Sequence, residues 1–198
     1  MRIKLFSIMV LMLFCGLSVH AQKVALKTNL LYGAGTLTPN LGVEFGLGQR
    51  TTLDISGGYN PWNREGTATD NKKWVHNYVQ PEFRYWLCQR FNGHFFGVHG
   101  IYTQFNVGGI EIPNLFGGDN LFEKDQRYEG DGYGGGISYG YHWMLSKRWG
   151  LEFTVGVGAM KLTYDKYDCA MCGDKTDEAT KTYFGPTKAG ITLVFLIK

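Results

Sequence analysis

Beyond Ala21 the sequence has no run of 18 apolar residues, which excludes a membrane-spanning helix on length. If the chain is a membrane protein it can therefore only be a barrel, the other structure that satisfies every backbone hydrogen bond internally. Proline is scarce, 5 in 198 residues, while glycine (28), tyrosine (12), phenylalanine (13) and tryptophan (5) are plentiful, a balance typical of β-rich proteins. Charge of one sign is lacking too. Removing Arg2 and Lys4 with residues 1–21 leaves 18 basic against 17 acidic residues, and this near-neutral balance argues against nucleic acid as a partner.

The amino terminus reads as an export signal. Arg2 and Lys4 precede the apolar run Leu5–Leu17, and Val19-His20-Ala21 offers a small-x-small cleavage site before Gln22. Residues 1–21 are thus expected to be a signal peptide and 22–198 a single barrel domain.

Read with period two, the mature chain gives eight segments that alternate apolar with polar or small residues. Val24, Leu26, Thr28, Leu30 and Tyr32 oppose Ala25, Lys27 and Asn29; Leu41, Val43, Phe45 and Leu47 oppose Gly42, Glu44 and Gly46; Leu53, Ile55 and Tyr59 oppose Thr52, Asp54, Ser56 and Gly58. The fourth sets Val75, Val79, Phe83, Tyr85 and Leu87 against His76, Tyr78, Gln80, Glu82, Arg84 and Trp86, and the fifth sets Phe96, Val98 and Tyr102 against His99. Tyr133 to Trp143, Trp149 to Gly158 and Lys188 to Ile197 complete the set with the same alternation. The expected fold is all-β, an eight-stranded antiparallel up-and-down transmembrane β-barrel, since an even count suits a closed bacterial outer-membrane barrel.

Connection lengths alternate accordingly. Gly48–Arg50, Cys88–Gly93 and Ser146–Arg148 are short, whereas Asn60–Trp74, Asn106–Arg127 and Asp165–Thr182 are long and polar. With both termini periplasmic, the short turns fall inside and the long loops outside the cell, the short connection around Gly35–Asn40 excepted. A soluble barrel with its apolar face turned inward has the same period. Against it, the polar face is mostly Gly, Ser and Thr rather than dense Lys and Glu, and Tyr59, Tyr85, Tyr102, Tyr141, Trp143 and Trp149 gather near strand ends as interfacial girdles do.

The polar face collects Glu44, Asp54, Glu82 and Glu152 with Lys27, Arg84 and Lys188. Within a lumen these charges must pair, because isolated buried ions are costly, so a salt-bridge network plugging the barrel is expected. His99, His142 and Ser138 invite a hydrolytic reading, but no triad spacing accompanies them, and no enzyme activity or cofactor is expected. Cys169 and Cys172 form a lone C-x-x-C, short of the ligands zinc needs; a loop disulfide between them is the better reading, leaving Cys88 unpaired, and no metal site is expected. Pro81 and Pro186 fall within strands, where bulges or rims are expected.

Several longer stretches are recognisable: Thr38-Pro39-Asn40-Leu41-Gly42-Val43-Glu44-Phe45-Gly46, Gly57-Gly58-Tyr59-Asn60-Pro61-Trp62, Gln80-Pro81-Glu82-Phe83-Arg84-Tyr85-Trp86-Leu87 and Tyr183-Phe184-Gly185-Pro186-Thr187-Lys188-Ala189-Gly190. Through them the chain resembles, from Lys23 to Ile197, a Bacteroidetes family known as domain of unknown function 3575. The resemblance implies an outer-membrane barrel often encoded beside fimbrial or adhesin components, and brings no catalytic motif. A structural or interaction role is expected, with outer-membrane lipid and a cell-surface protein assembly as partners; a narrow pore for small solutes and a lipid-modifying barrel enzyme are the alternatives.

Overall fold

The computed structural model describes residues 24–61, 63–64, 72–109, 122, 126–167 and 175–197. The expected signal peptide, Cys169 and Cys172 lie outside these. In order, the elements are β1 (Val24–Asn29), α1 (Leu30–Thr36), β2 (Asn40–Gly46), β3 (Thr51–Asn60), the two-residue β4 (Asn63–Arg64), β5 (Lys72–Trp86), β6 (Gly93–Gly108), β7 (Arg127–Met144), β8 (Trp149–Tyr167) and β9 (Lys175–Ile197). All strand pairings are antiparallel between chain neighbours, β3 pairs directly with β5, and β1 pairs with β9, so eight strands close an up-and-down ring with β4 appended to β5.

The ring is staggered. Following paired residues from Leu196 through Ala25, Glu44, Asp54, Glu82, His99, Gly136 and Gly158 returns to β9 at Gly185, well up the same strand. Such shear tilts the strands and sets the bore, which in an eight-stranded barrel is just wide enough for side chains to fill.

Burial follows the period-two pattern. On β8, Gly150, Glu152, Thr154 and Gly156 are buried while Phe153, Val155 and Val157 are exposed. The apolar residues thus face outward and the polar and small ones inward; Val98, Ile137 and Val155 are each more than 60% exposed.

Four expectations need correction. The first strand does not reach Tyr32: Asn29 caps a helix instead, its side chain accepting from Tyr32 N at 3.1 Å, and Leu37 closes it in the left-handed region at φ 53°. The connection before β2 therefore includes this helix. The last of the expected outer loops is largely strand, because β8 runs to Tyr167 and β9 starts at Lys175, while the second yields only Asn106–Gly108 to β6 and its end at Arg127 to β7. Pro81 makes no bulge; it sits opposite Ile55, and β5 keeps one register against β6 from Val79–Tyr102 to Glu82–His99. At Pro186 the expected irregularity is present, a register shift between Gly156 and Val157 that turns both Thr187 and Lys188 toward the interior.

Candidate functional site

The interior is layered from the short-turn end upward. In the turn after β5, Phe91 takes a positive φ of 59° and folds beneath the barrel. Its ring lies 6.0 Å from Trp86, which is 4.7 Å from Phe95, and Ala25, Val194 and Leu196 complete an apolar floor. Trp86 Nε1 donates to Thr52 Oγ1 at 2.9 Å, satisfying the one polar atom of its buried indole.

Above this floor the barrel brings all seven charged residues of the polar face into one network. Arg84 is the hub. Its Nη1 donates to Glu44 Oε2 at 2.9 Å and Glu152 Oε2 at 3.0 Å, its Nη2 to Asp54 Oδ2 at 2.9 Å, and its Nε to Glu82 Oε2. Lys27 Nζ joins Glu44 at 2.7 Å and Glu152 at 2.8 Å, and Lys188 Nζ joins Glu82 at 2.8 Å. Thr52, Ser138 and Thr154 hydroxyls donate to Glu44, Glu82 and Glu152. The Arg84 guanidinium also lies 4.5 Å from the centre of the Phe95 ring, so one planar cation joins the apolar floor to the charge layer.

The register explains the network. Glu44, Asp54 and Glu82 are direct cross-strand neighbours, an arrangement of like charges that is unfavourable unless cations intervene. The stagger brings Lys27 from β1 and Lys188 from β9 over them, and Arg84 sits two residues after Glu82 on the same face. Four carboxylates then face three cations.

Inward glycines provide the space. A Cβ at Gly97 would stand 2.6 Å from Glu82 Oε1 and 2.5 Å from Ser138 Oγ, and one at Gly150 would collide with the His142 ring. Gly97→Ala is therefore expected to cost about 1–3 kcal/mol, the usual penalty for overpacking. Urea unfolding of refolded protein checks this; a change under about 0.5 kcal/mol, typical of surface sites, would show that the carboxylate has room to move.

The residues that suggested hydrolysis are not joined to one another. Ser138 donates to Glu82, His99 Nε2 bonds Thr187 Oγ1 at 2.8 Å, and His142 Nδ1 lies 4.0 Å from Glu152 with neither ring nitrogen hydrogen-bonded among the described residues. Cys88 is exposed beside the turn that carries Phe91.

Over the charge layer lies a polar cavity of about 160 Å³, bounded by Asn29, Tyr32, Asn40, Ser56, Tyr78 and Gln80 together with Asp54 and Lys188. Tyr32 OH meets His76 Nε2 at 2.6 Å near its rim. Toward the long-loop end, Phe122 packs with Tyr128, Leu162 and Tyr164 on the inner side of β7 and β8. Sequence reading placed Trp86 on the inner face but missed the floor, because Phe91 lies in a turn where periodicity carries no signal. It also missed the cavity, whose wall includes a helix where a strand was expected.

The outer surface is layered as well. Ile55, Val79, Phe83, Val98, Ile137, Val155 and Val157 form an apolar band. Tyr59, Tyr102 and Tyr133 border it on the long-loop side, with Tyr85, Tyr141, Trp143 and Trp149 on the short-turn side, all exposed. Beyond the first border the outward positions turn polar, through Asn77, Gln104 and Asp131, which pair across β5, β6 and β7.

A family model described as a protein of unknown function (DUF3575) matches residues 7–197. No curated protein matches the chain.

Proposed function

Because the chain belongs to this family of unknown function, DUF3575, its role is read from the barrel itself, and we propose that it is a non-enzymatic barrel of a bacterial outer membrane with a structural or interaction role. The observation that carries this reading is the outer apolar band between two aromatic borders. On β7 the band runs from Tyr133 to Trp143, matching the about 9–11 residues a tilted strand needs to cross a bilayer. In water, exposing so many large apolar side chains in one contiguous belt would be a strong aggregation hazard. In lipid the same belt needs no cover.

The interior supports a structural role over a pore. The Trp86–Phe91–Phe95 floor and the Arg84 network lie in series across the bore. The partner in this reading is a cell-surface protein assembly, meeting the tall wall that β5 to β9 raise beyond the tyrosine border. The fimbrial neighbourhood implied by the sequence resemblance fits such a partner.

Two experiments test the proposal. Mature protein is expected to sediment with outer membranes and to run on unheated detergent gels at a different mobility from the boiled form; recovery in the soluble periplasmic fraction without detergent would overturn the membrane reading. In planar bilayers the inserted barrel is expected to pass no steady current, and a stable conductance altered by substitution of Glu82 or Arg84 would make it a pore.

A further inference from the structure

The ring is closed unevenly. β1 pairs with β9 only from Val24–Ile197 to Asn29–Thr192; at Leu30 the chain turns into α1, while β9 continues past Thr192 with β8 as its one strand neighbour among the described residues. Between Gly185 and Ile191 the other edge of β9 therefore faces a seven-residue helix rather than a strand. In lipid an unpaired strand edge is costly unless its polar groups are met otherwise. Three carbonyls along this stretch are met by side chains: Asn29 Nδ2 donates to Ala189 O at 2.9 Å, Gln80 Nε2 to Thr187 O at 3.2 Å, and Tyr183 OH to Pro186 O at 3.1 Å. Pro186 has no N–H to leave unmatched, which explains a proline in a strand of a closed barrel. The wall thus contains a seam without a strand ladder among the described residues, crossed by the Asn29–Ala189 hydrogen bond, while Gln80 reaches Thr187 from β5 across the bore and Tyr183 belongs to β9 itself.

The polar cavity lies directly behind it, with Asn29 and Tyr32 on one flank and Thr187, Lys188 and Ala189 on the other. Inside, Lys188 is the least buried of the three cations, its side chain 11% exposed, and its ammonium carries more N–H groups than its carboxylate partner occupies. Asp54 is 2% exposed, yet its Oδ1 has no hydrogen-bond partner among the described residues. The two stand side by side, Lys188 Nζ 3.9 Å from Asp54 Oδ2. A ligand that complements them carries an anion for Lys188 and, a few ångströms away, an N–H donor for Asp54. Outside the seam the surface is apolar, with Leu30, Leu31, Pro186 and Ala189 exposed.

We propose that the seam is a side entrance through which the headgroup of a phosphatidylethanolamine enters the cavity, its phosphate on Lys188 and its ammonium on Asp54 Oδ1, while the acyl chains stay outside along Leu30, Leu31 and Pro186. This rests on the membrane reading above. Phosphatidylcholine presents the same phosphate with an ammonium that has no N–H and so cannot donate to Asp54; phosphatidylglycerol offers hydroxyl donors but no cation, giving Asp54 a neutral hydrogen bond in place of a charge-assisted one.

The test uses the mature chain inserted into phosphatidylcholine nanodiscs containing a minor fraction of phosphatidylethanolamine or phosphatidylglycerol, with retained lipid counted by native mass spectrometry. One phosphatidylethanolamine per chain is expected, held about tenfold more strongly than phosphatidylcholine, the worth of one hydrogen bond to a charged group. Asp54→Asn is expected to erase that preference. Ala189→Trp, which fills the seam from outside and leaves the charged lining intact, is expected to lower retention about tenfold while gel mobility of the folded barrel is unchanged. Equal retention of the three lipids by inserted, folded protein overturns the inference and leaves the membrane reading standing, as does displacement of bound lipid by soluble glycerophosphoethanolamine as readily as by phosphatidylethanolamine, since that ligand needs no seam. Failure to insert into any bilayer removes the membrane reading itself, and this inference with it.

Discussion

Arg84→Met is expected to destabilise the barrel by about 3–5 kcal/mol, the loss seen when one partner of a buried ion pair is removed and the others stay charged. Arg84 is 1% exposed and bonds four carboxylates at once, so its removal leaves Glu44, Asp54, Glu82 and Glu152 facing only Lys27 and Lys188. The stacking on Phe95 is lost as well. Arg84→Lys keeps the charge but cannot reach four partners in a plane, and is expected to recover only part of the loss. Asp54→Asn is expected to cost far less, under about 1.5 kcal/mol, because it leaves three carboxylates against three cations and the amide oxygen can still accept from Arg84. Equilibrium urea unfolding of protein refolded in lipid measures all three. If Arg84→Met shifts stability by less than Asp54→Asn, the network does not hold the barrel together.

Ile137→Arg addresses the outer surface in the same terms. Ile137 is 65% exposed near the middle of the apolar band, and an arginine at the bilayer midplane of an outer-membrane barrel costs about 2–4 kcal/mol. On a soluble barrel the same exposed substitution falls within about 0.5 kcal/mol of neutral. Thr163→Arg, in the polar row that contains Asp131 beyond the tyrosine border, is expected to be neutral in either case. Folding free energies into vesicles for this pair separate a lipid-facing belt from a water-facing one, and equal values for the two variants would refute the proposed membrane boundary.

Much of the architecture was legible in order along the chain. Period-two alternation is a local property of extended backbone, so Val98, Ile137 and Val155 could be set on one face and Glu82, Arg84 and Glu152 on the other with no knowledge of which strands pair. That seven charges share the inner face follows from the same count. Who bonds whom does not: Lys27 meets Glu152, 125 positions away, only because the ring closes with the stagger that carries Leu196 round to Gly185. The places where sequence reading failed are those where a local signal was weak or overruled. Leu30 and Tyr32 continue the strand alternation, yet Asn29 caps a helix there and Leu37 closes it within two turns. Phe91 lies in a turn, where alternation has no meaning, and only the fold brings it beneath Trp86. Pro186 reads as a defect in a strand until the tertiary structure leaves that edge of β9 without a strand neighbour among the described residues. The sequence by itself thus determined the number of long strands and the two faces of each, because both are set by neighbouring residues. Closure, register, the network around Arg84, the aromatic floor and the seam were decided only in three dimensions, because each depends on residues that meet across the ring.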